Sequence, residues 1–135
     1  MPFQFDSSEP IYTQIVKLFK QDIARGKLSP GEKVAPVREL ALSLGVNPNT
    51  VQRALAELER DSLLYSVRTS GRFVTTDTAK AQALRQELAW NAAESYVSTL
   101  YMLNYSQDDI LDLTREALIS GEIGDDSPEV EVESL

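Results

Sequence analysis

Two helical patterns meet at a single glycine in VRELALSLGVNPNTVQRALAELE, residues 37–59. The first, with Pro36 near its start, places Val37, Leu40, Ala41 and Leu44 on one face; the second places Val51, Ala54, Leu55 and Leu58 on its own. Two short helices that cross steeply need a small residue where they touch, a residue tolerant of positive φ in the tight turn, and apolar anchors beneath the second helix. Ala41, Gly45 and Val51 meet these needs at spacings of four and six residues, and Leu40, Leu44, Val46 and Leu55 fill the core around them. The spacing predicts a helix-turn-helix. Asn47 before Pro48 reads as an N-cap followed by a first helical residue that has no amide to strand.

Burying those anchors leaves Asn47, Asn49, Thr50, Gln52 and Arg53 as the exposed front of the second helix. Such a helix enters a DNA major groove N-terminal residues first. Asn and Gln pair bidentately with adenine, Arg takes guanine or phosphate, and Thr together with free helix-start amides binds phosphate. Arg38, at the start of the preceding helix, is placed for the DNA backbone or a neighbouring base.

The flanks fit the same reading. From Pro10 to about Gly26, the apolar residues Ile11, Ile15, Leu18, Phe19 and Ile23 form the stripe of an amphipathic helix, and GKLSPGEKV then turns into a short extended piece. After Asp61, LLYSV, RTSG and RFVTT predict a hairpin around Gly71, with Arg68, Thr69, Ser70, Gly71 and Arg72 at its tip. A basic hairpin after a helix-turn-helix is a wing, suited to the minor groove or its flanking phosphates. Simpler roles exist for single residues: Arg53 pairing with Glu57 one turn on, Asn47 acting only as a cap, Gly71 serving only as a turn glycine. A winged helix can also mediate protein contacts without DNA.

A net charge of −8 is unusual for a nucleic-acid binder, but it is unevenly spread. Residues 1–77 carry 10 Lys/Arg against 9 Asp/Glu, whereas residues 78–135 carry 3 against 12. The acidity therefore belongs to the second half. Cysteine and histidine are absent, which removes disulfides, thiolate chemistry, His-based catalysis and ordinary zinc sites; we expect no enzyme activity, no cofactor and no metal. A carboxylate metal site would have to use Asp108, Asp109 and Asp112, which fit better as charges favouring a helix N-terminus. No long apolar run and no leader-like N-terminus is present, so we expect a cytoplasmic protein with no membrane partner, too short to hold a large effector or catalytic domain as well.

Residues 10–74, PIYTQIVKLFKQDIARGKLSPGEKVAPVRELALSLGVNPNTVQRALAELERDSLLYSVRTSGRFV, resemble the DNA-binding domain of GntR-family bacterial transcription regulators along their whole length. The short helical part that follows looks like the YtrA-like subfamily. The resemblance implies an operator-binding repressor and places contact roles on Arg38, Asn49, Thr50, Gln52, Arg53 and Gly71. The chain departs from the common family pattern at Ala35 and Pro36, and at Ser62, where many members have Gly. Pro48 and Gln52 stand where other subfamilies place Arg, so their base-reading scheme does not carry over.

From Ala79 to about Asn104 a long helix is expected, and Ser106 with Asp109 reads as a capping box opening a last helix to about Ser120. The expected architecture is thus mainly α with a small β-wing: a winged helix-turn-helix over 1–77, a two-helix dimerisation region over 78–123, and a disordered acidic tail over 124–135. Leu84, Leu88, Trp90, Ala92, Tyr96, Leu100, Tyr101, Ile110, Leu113 and Leu118 are the expected interface, because an arm this apolar would otherwise face water. The alternative is that both helices cap their own domain. A homodimer would bind double-stranded operator DNA as an inverted repeat. A small-molecule effector in an interface cavity near Trp90, Tyr96 and Tyr101 is a further expectation; nothing in the sequence names it.

Overall fold

The computed structural model describes residues 4–121, so the expected acidic tail lies outside the described residues. In chain order the elements are α1 (Ile11–Ala24), α2 (Val37–Leu44), α3 (Pro48–Arg60), β1 (Leu64–Val67), β2 (Gly71–Val74), α4 (Thr78–Met102) and α5 (Gln107–Ile119). Two compact units divide the chain, Met1–Gln86 and Glu87–Leu135. The division between the units falls within α4, whose opening turns belong to the first unit.

In the first unit α3 is the hub, packing on α1, α2 and β1. Its apolar stripe supplies Val51, Ala54, Leu55 and Leu58, all essentially free of solvent, against Ile15, Phe19 and Ile23 of α1 and Ala41 and Leu44 of α2. Each large aliphatic side chain buried this fully contributes about 1.5–3 kcal/mol relative to exposure. Gln14 is the one buried polar residue of this core among the described residues; its amide accepts from the Asp6 N–H and donates to the carbonyls of Asp6 and Glu9, tying the segment before α1 to the helix.

Local chemistry sets the helix ends. Gly45 closes α2 in the left-handed region at φ 70°, where a Cβ would be strained. Asn47 caps α3, its side-chain oxygen accepting from the Asn49 N–H at 2.8 Å, with Pro48 as the first helical residue. α3 ends in a Schellman pattern, with the Leu63 N–H donating to the Leu58 carbonyl and the Ser62 N–H to that of Glu59. Ser62 itself sits at φ 61°. A serine therefore occupies the left-handed position that glycine usually takes, and the route into the wing is kept despite the substitution.

β1 and β2 pair antiparallel, Leu64 opposite Val74 and Val67 opposite Gly71. The extended piece after α1 lines the hairpin: the Gly31 and Val34 amides donate to Val74 and Arg72, and Lys33 bridges Phe73.

In the second unit α4 also ends in a Schellman pattern, with Asn104 at φ 67° and the Tyr105 N–H donating to the Leu100 carbonyl. The Ser106–Asp109 capping box then opens α5. Thr114 donates to the Ile110 carbonyl at 2.7 Å, so the Tyr96 hydroxyl, 3.0 Å from the Thr114 oxygen, donates to it and joins α4 to α5. Asp109 is held below the ordinary carboxylate range chiefly by the Ser106 N–H. Asp112 pairs with Arg115 at 3.2 Å.

Candidate nucleic-acid interface

The polar front of α3 is built by its buried back. With Val51, Ala54, Leu55 and Leu58 turned into the core, Asn49, Gln52 and Arg53 are left exposed and Thr50 half-buried. These side chains stand on a rigid element, as base readout requires. Arg38 is exposed in the first turn of α2.

The start of α3 differs from expectation in one respect. Pro48 has no amide, the Asn49 amide is taken by the Asn47 side chain, and the Thr50 and Val51 amides donate to the Asn47 carbonyl. No free helix-start amide remains among these residues. Any anion there must be met by side chains such as the Thr50 hydroxyl, and Asn47 has its oxygen committed to the cap.

The wing tip is a four-residue turn from Val67 to Ser70, closed by the Ser70 N–H donating to the Val67 carbonyl at 2.9 Å. Thr69, third in the turn, adopts φ 69°, a conformation that a β-branched residue rarely takes. The expected turn glycine, Gly71, comes after the turn as the first residue of β2, at φ 113°; a Cβ there would lie 3.3 Å from the Lys33 side chain. Arg68, Thr69, Ser70 and Gly71 are exposed.

Arg72 behaves differently from the tip cation expected of it. Its Nε donates to the Glu59 carboxylate of α3 at 2.5 Å, and both side chains are largely covered. Arg72 is therefore a clamp between wing and α3, whereas Arg68 and Lys33 pair with no carboxylate among the described residues. The wing tip and the segment Lys33–Val37 together line a groove of about 310 Å³ that reaches the start of α2 at Val37. Lys33 escaped sequence reasoning because only the tertiary strand alignment brings it to the wing.

Arg53 also has an unexpected neighbour. Glu57, the partner in the simpler reading of Arg53, is taken by Arg60 at 2.6 Å, while the Arg53 guanidinium lies over the Tyr12 ring of α1, 3.8 Å from its centroid.

A family model described as "Bacterial regulatory proteins, gntR family" matches residues 11–74, the span from α1 to the end of the wing. The HTH-type transcriptional regulator YhcF of Bacillus subtilis is 34% identical over 112 residues, covering 83% of this chain and 93% of YhcF. The chain belongs to the gntR family. It is a winged-helix DNA-binding transcription regulator, not an enzyme. The transcriptional repressor YtrA of the same organism is 42% identical over 69 residues, about half of each chain. A gntR-family regulator structure from Listeria monocytogenes superimposes with a TM-score of 0.78 at 38% identity, covering 83% of this chain and 98% of that one.

In the second unit the expected interface set divides. Among the described residues of that unit, Leu100 and Ile110 alone are buried, while Leu88 and Leu113 are half-covered. Leu84, in the first unit, is only 6% exposed. These three side chains are covered within their own chain. Trp90 is 67% and Leu118 70% exposed, and Ala92, Tyr96 and Tyr101 are exposed too. No helix among the described residues is long and apolar enough to cross a membrane.

Proposed function

We propose that this gntR-family regulator is a sequence-specific repressor that works in the cytoplasm as a homodimer on an inverted-repeat operator. The observation behind this reading is the exposed front of α3, Asn49, Gln52 and Arg53, mounted on a back whose anchors are fully buried. Arg38, Thr50, Arg68, Thr69, Ser70 and Gly71 extend the contact surface through the start of α2 and the wing. YtrA, a named repressor, supports repression as the outcome of binding. The exposed aromatic and aliphatic side chains of α4 and α5, Trp90, Tyr101 and Leu118 among them, favour a second copy as partner, since apolar surface of this kind marks interfaces. Twofold pairing sets two recognition helices about 34–36 Å apart, one turn of DNA.

The test is binding to oligonucleotides selected from a random pool. An inverted repeat with half-sites about one turn apart should emerge, and affinity should fall steeply with salt through counterion release. Recovery of no preferred duplex would overturn the operator reading.

A further inference from the structure

Tyr12 is the second residue of α1, outside the helix-turn-helix, yet its ring lies beneath the one cation on the front of α3. α1 packs against α3, and Tyr12 is half-buried there. Among the described residues no carboxylate pairs with Arg53, because Glu57 is engaged by Arg60 and Glu59 by Arg72. The ring is thus what the guanidinium rests on. Stacking occupies the flat face of a guanidinium and leaves its N–H donors free along the edge. An arginine held this way can still donate two parallel hydrogen bonds to guanine. Docking a long flexible side chain on a base costs rotamer freedom; with the guanidinium already seated on Tyr12, much of that cost falls on folding instead of binding.

We propose that Tyr12 is a positioning residue for DNA readout: its ring pre-orients Arg53, so an α1 side chain that need not touch a base controls sequence discrimination. This rests on the reading that Arg53 contacts the operator. Tyr12 then acts through Arg53 and through nothing else, which gives it a distinct signature.

The experiment uses the full chain and fluorescence anisotropy on a selected operator duplex and a scrambled duplex of equal length. Four variants are compared: Tyr12→Phe, Tyr12→Leu, Arg53→Ala, and Tyr12→Leu with Arg53→Ala. Tyr12→Phe keeps the ring face and should bind as the parent does. Tyr12→Leu should lose about three- to thirty-fold in operator affinity, with little change on the scrambled duplex. In the Arg53→Ala background the same substitution should have no further effect. Equal weakening with and without Arg53, or equal weakening on both duplexes, would make Tyr12 a packing residue and overturn the inference alone. Unchanged operator binding in the single Arg53→Ala variant would overturn the Arg53 contact and the inference with it. Where Tyr12→Leu melts early, Tyr12→Met, which fills the space without a ring face, repeats the cycle with the same expected outcome.

Discussion

Glu59 and Arg72 join the recognition helix to the wing by an ion pair, Nε of Arg72 to Oε1 of Glu59 at 2.5 Å, with the side chains 30% and 21% exposed. Arg72 is committed twice over, since its carbonyl accepts from the Val34 amide while its guanidinium reaches α3. The hairpin is therefore anchored to the helix it assists by charge as well as by the packing of Leu64 and Val74.

The pair makes stability depend on acid pH. The Arg72 hydrogen bond is the main cause that holds the Glu59 carboxyl below its ordinary value of 4.5, against a smaller opposing effect of burial. A carboxyl depressed in the folded state contributes its stability in full above the unfolded value and loses it as pH falls through the folded one. Glu59→Gln should therefore cost about 0.5–1.5 kcal/mol at neutral pH. The gap to the parent should close once the parent's own carboxyl is protonated. Urea denaturation at stepped pH checks this, and a gap that persists at low pH would assign the cost to something other than the charge.

Arg68 and Arg72 should separate in two assays. Arg68 is exposed at the tip, so Arg68→Ala should leave the melting temperature alone and reduce the salt slope of DNA binding by about one. Arg72→Gln should lower the melting temperature first and affect DNA mainly through a looser wing. Reversal of the two patterns would mean that Arg72 leaves Glu59 to meet DNA.

Ser62 closes α3 at φ 61°. A side chain in that region is strained, and glycine removes the strain at the expense of extra unfolded-state freedom. Ser62→Gly should on balance stabilise the first unit by about 0.5–1 kcal/mol, seen as a melting temperature higher by a few degrees. A lower one would show that the added unfolded-state freedom, or a contact of the Ser62 side chain, outweighs the relief of strain.

The elements legible in the sequence were those set by neighbours a turn apart. Gly45 in the left-handed region, the Asn47 cap, the buried Val51–Leu58 stripe and the Ser106–Asp109 box are all one-turn relationships, and each appears as read. What spacing could not supply was partner choice across the fold. Arg68 and Arg72 look equivalent along the chain, but only β2 pairing carries Arg72 to Glu59. Arg53 has a suitable carboxylate one turn away, yet α1 brings Tyr12 closer and Arg60 takes the carboxylate. Leu84, Leu100 and Ile110 share a stripe with the exposed interface candidates, and periodicity alone does not reveal which of them their own chain already covers.

The proposed dimer rests on what α4 and α5 leave uncovered. With Leu100 and Ile110 buried and Trp90, Tyr101 and Leu118 exposed, charges introduced at Trp90 and Leu118 should disturb a partner while leaving the packing of each protomer in place. Trp90→Glu with Leu118→Glu is expected to give a monomer in light scattering, with the melting of the first unit unchanged. Operator affinity should then fall by about 10²–10⁴, the gain that linking two half-site contacts supplies, while binding to a single half-site stays as it was. A parent chain that scatters as a monomer at micromolar concentration would overturn the dimer, and a double variant that remains dimeric would move the interface away from this face.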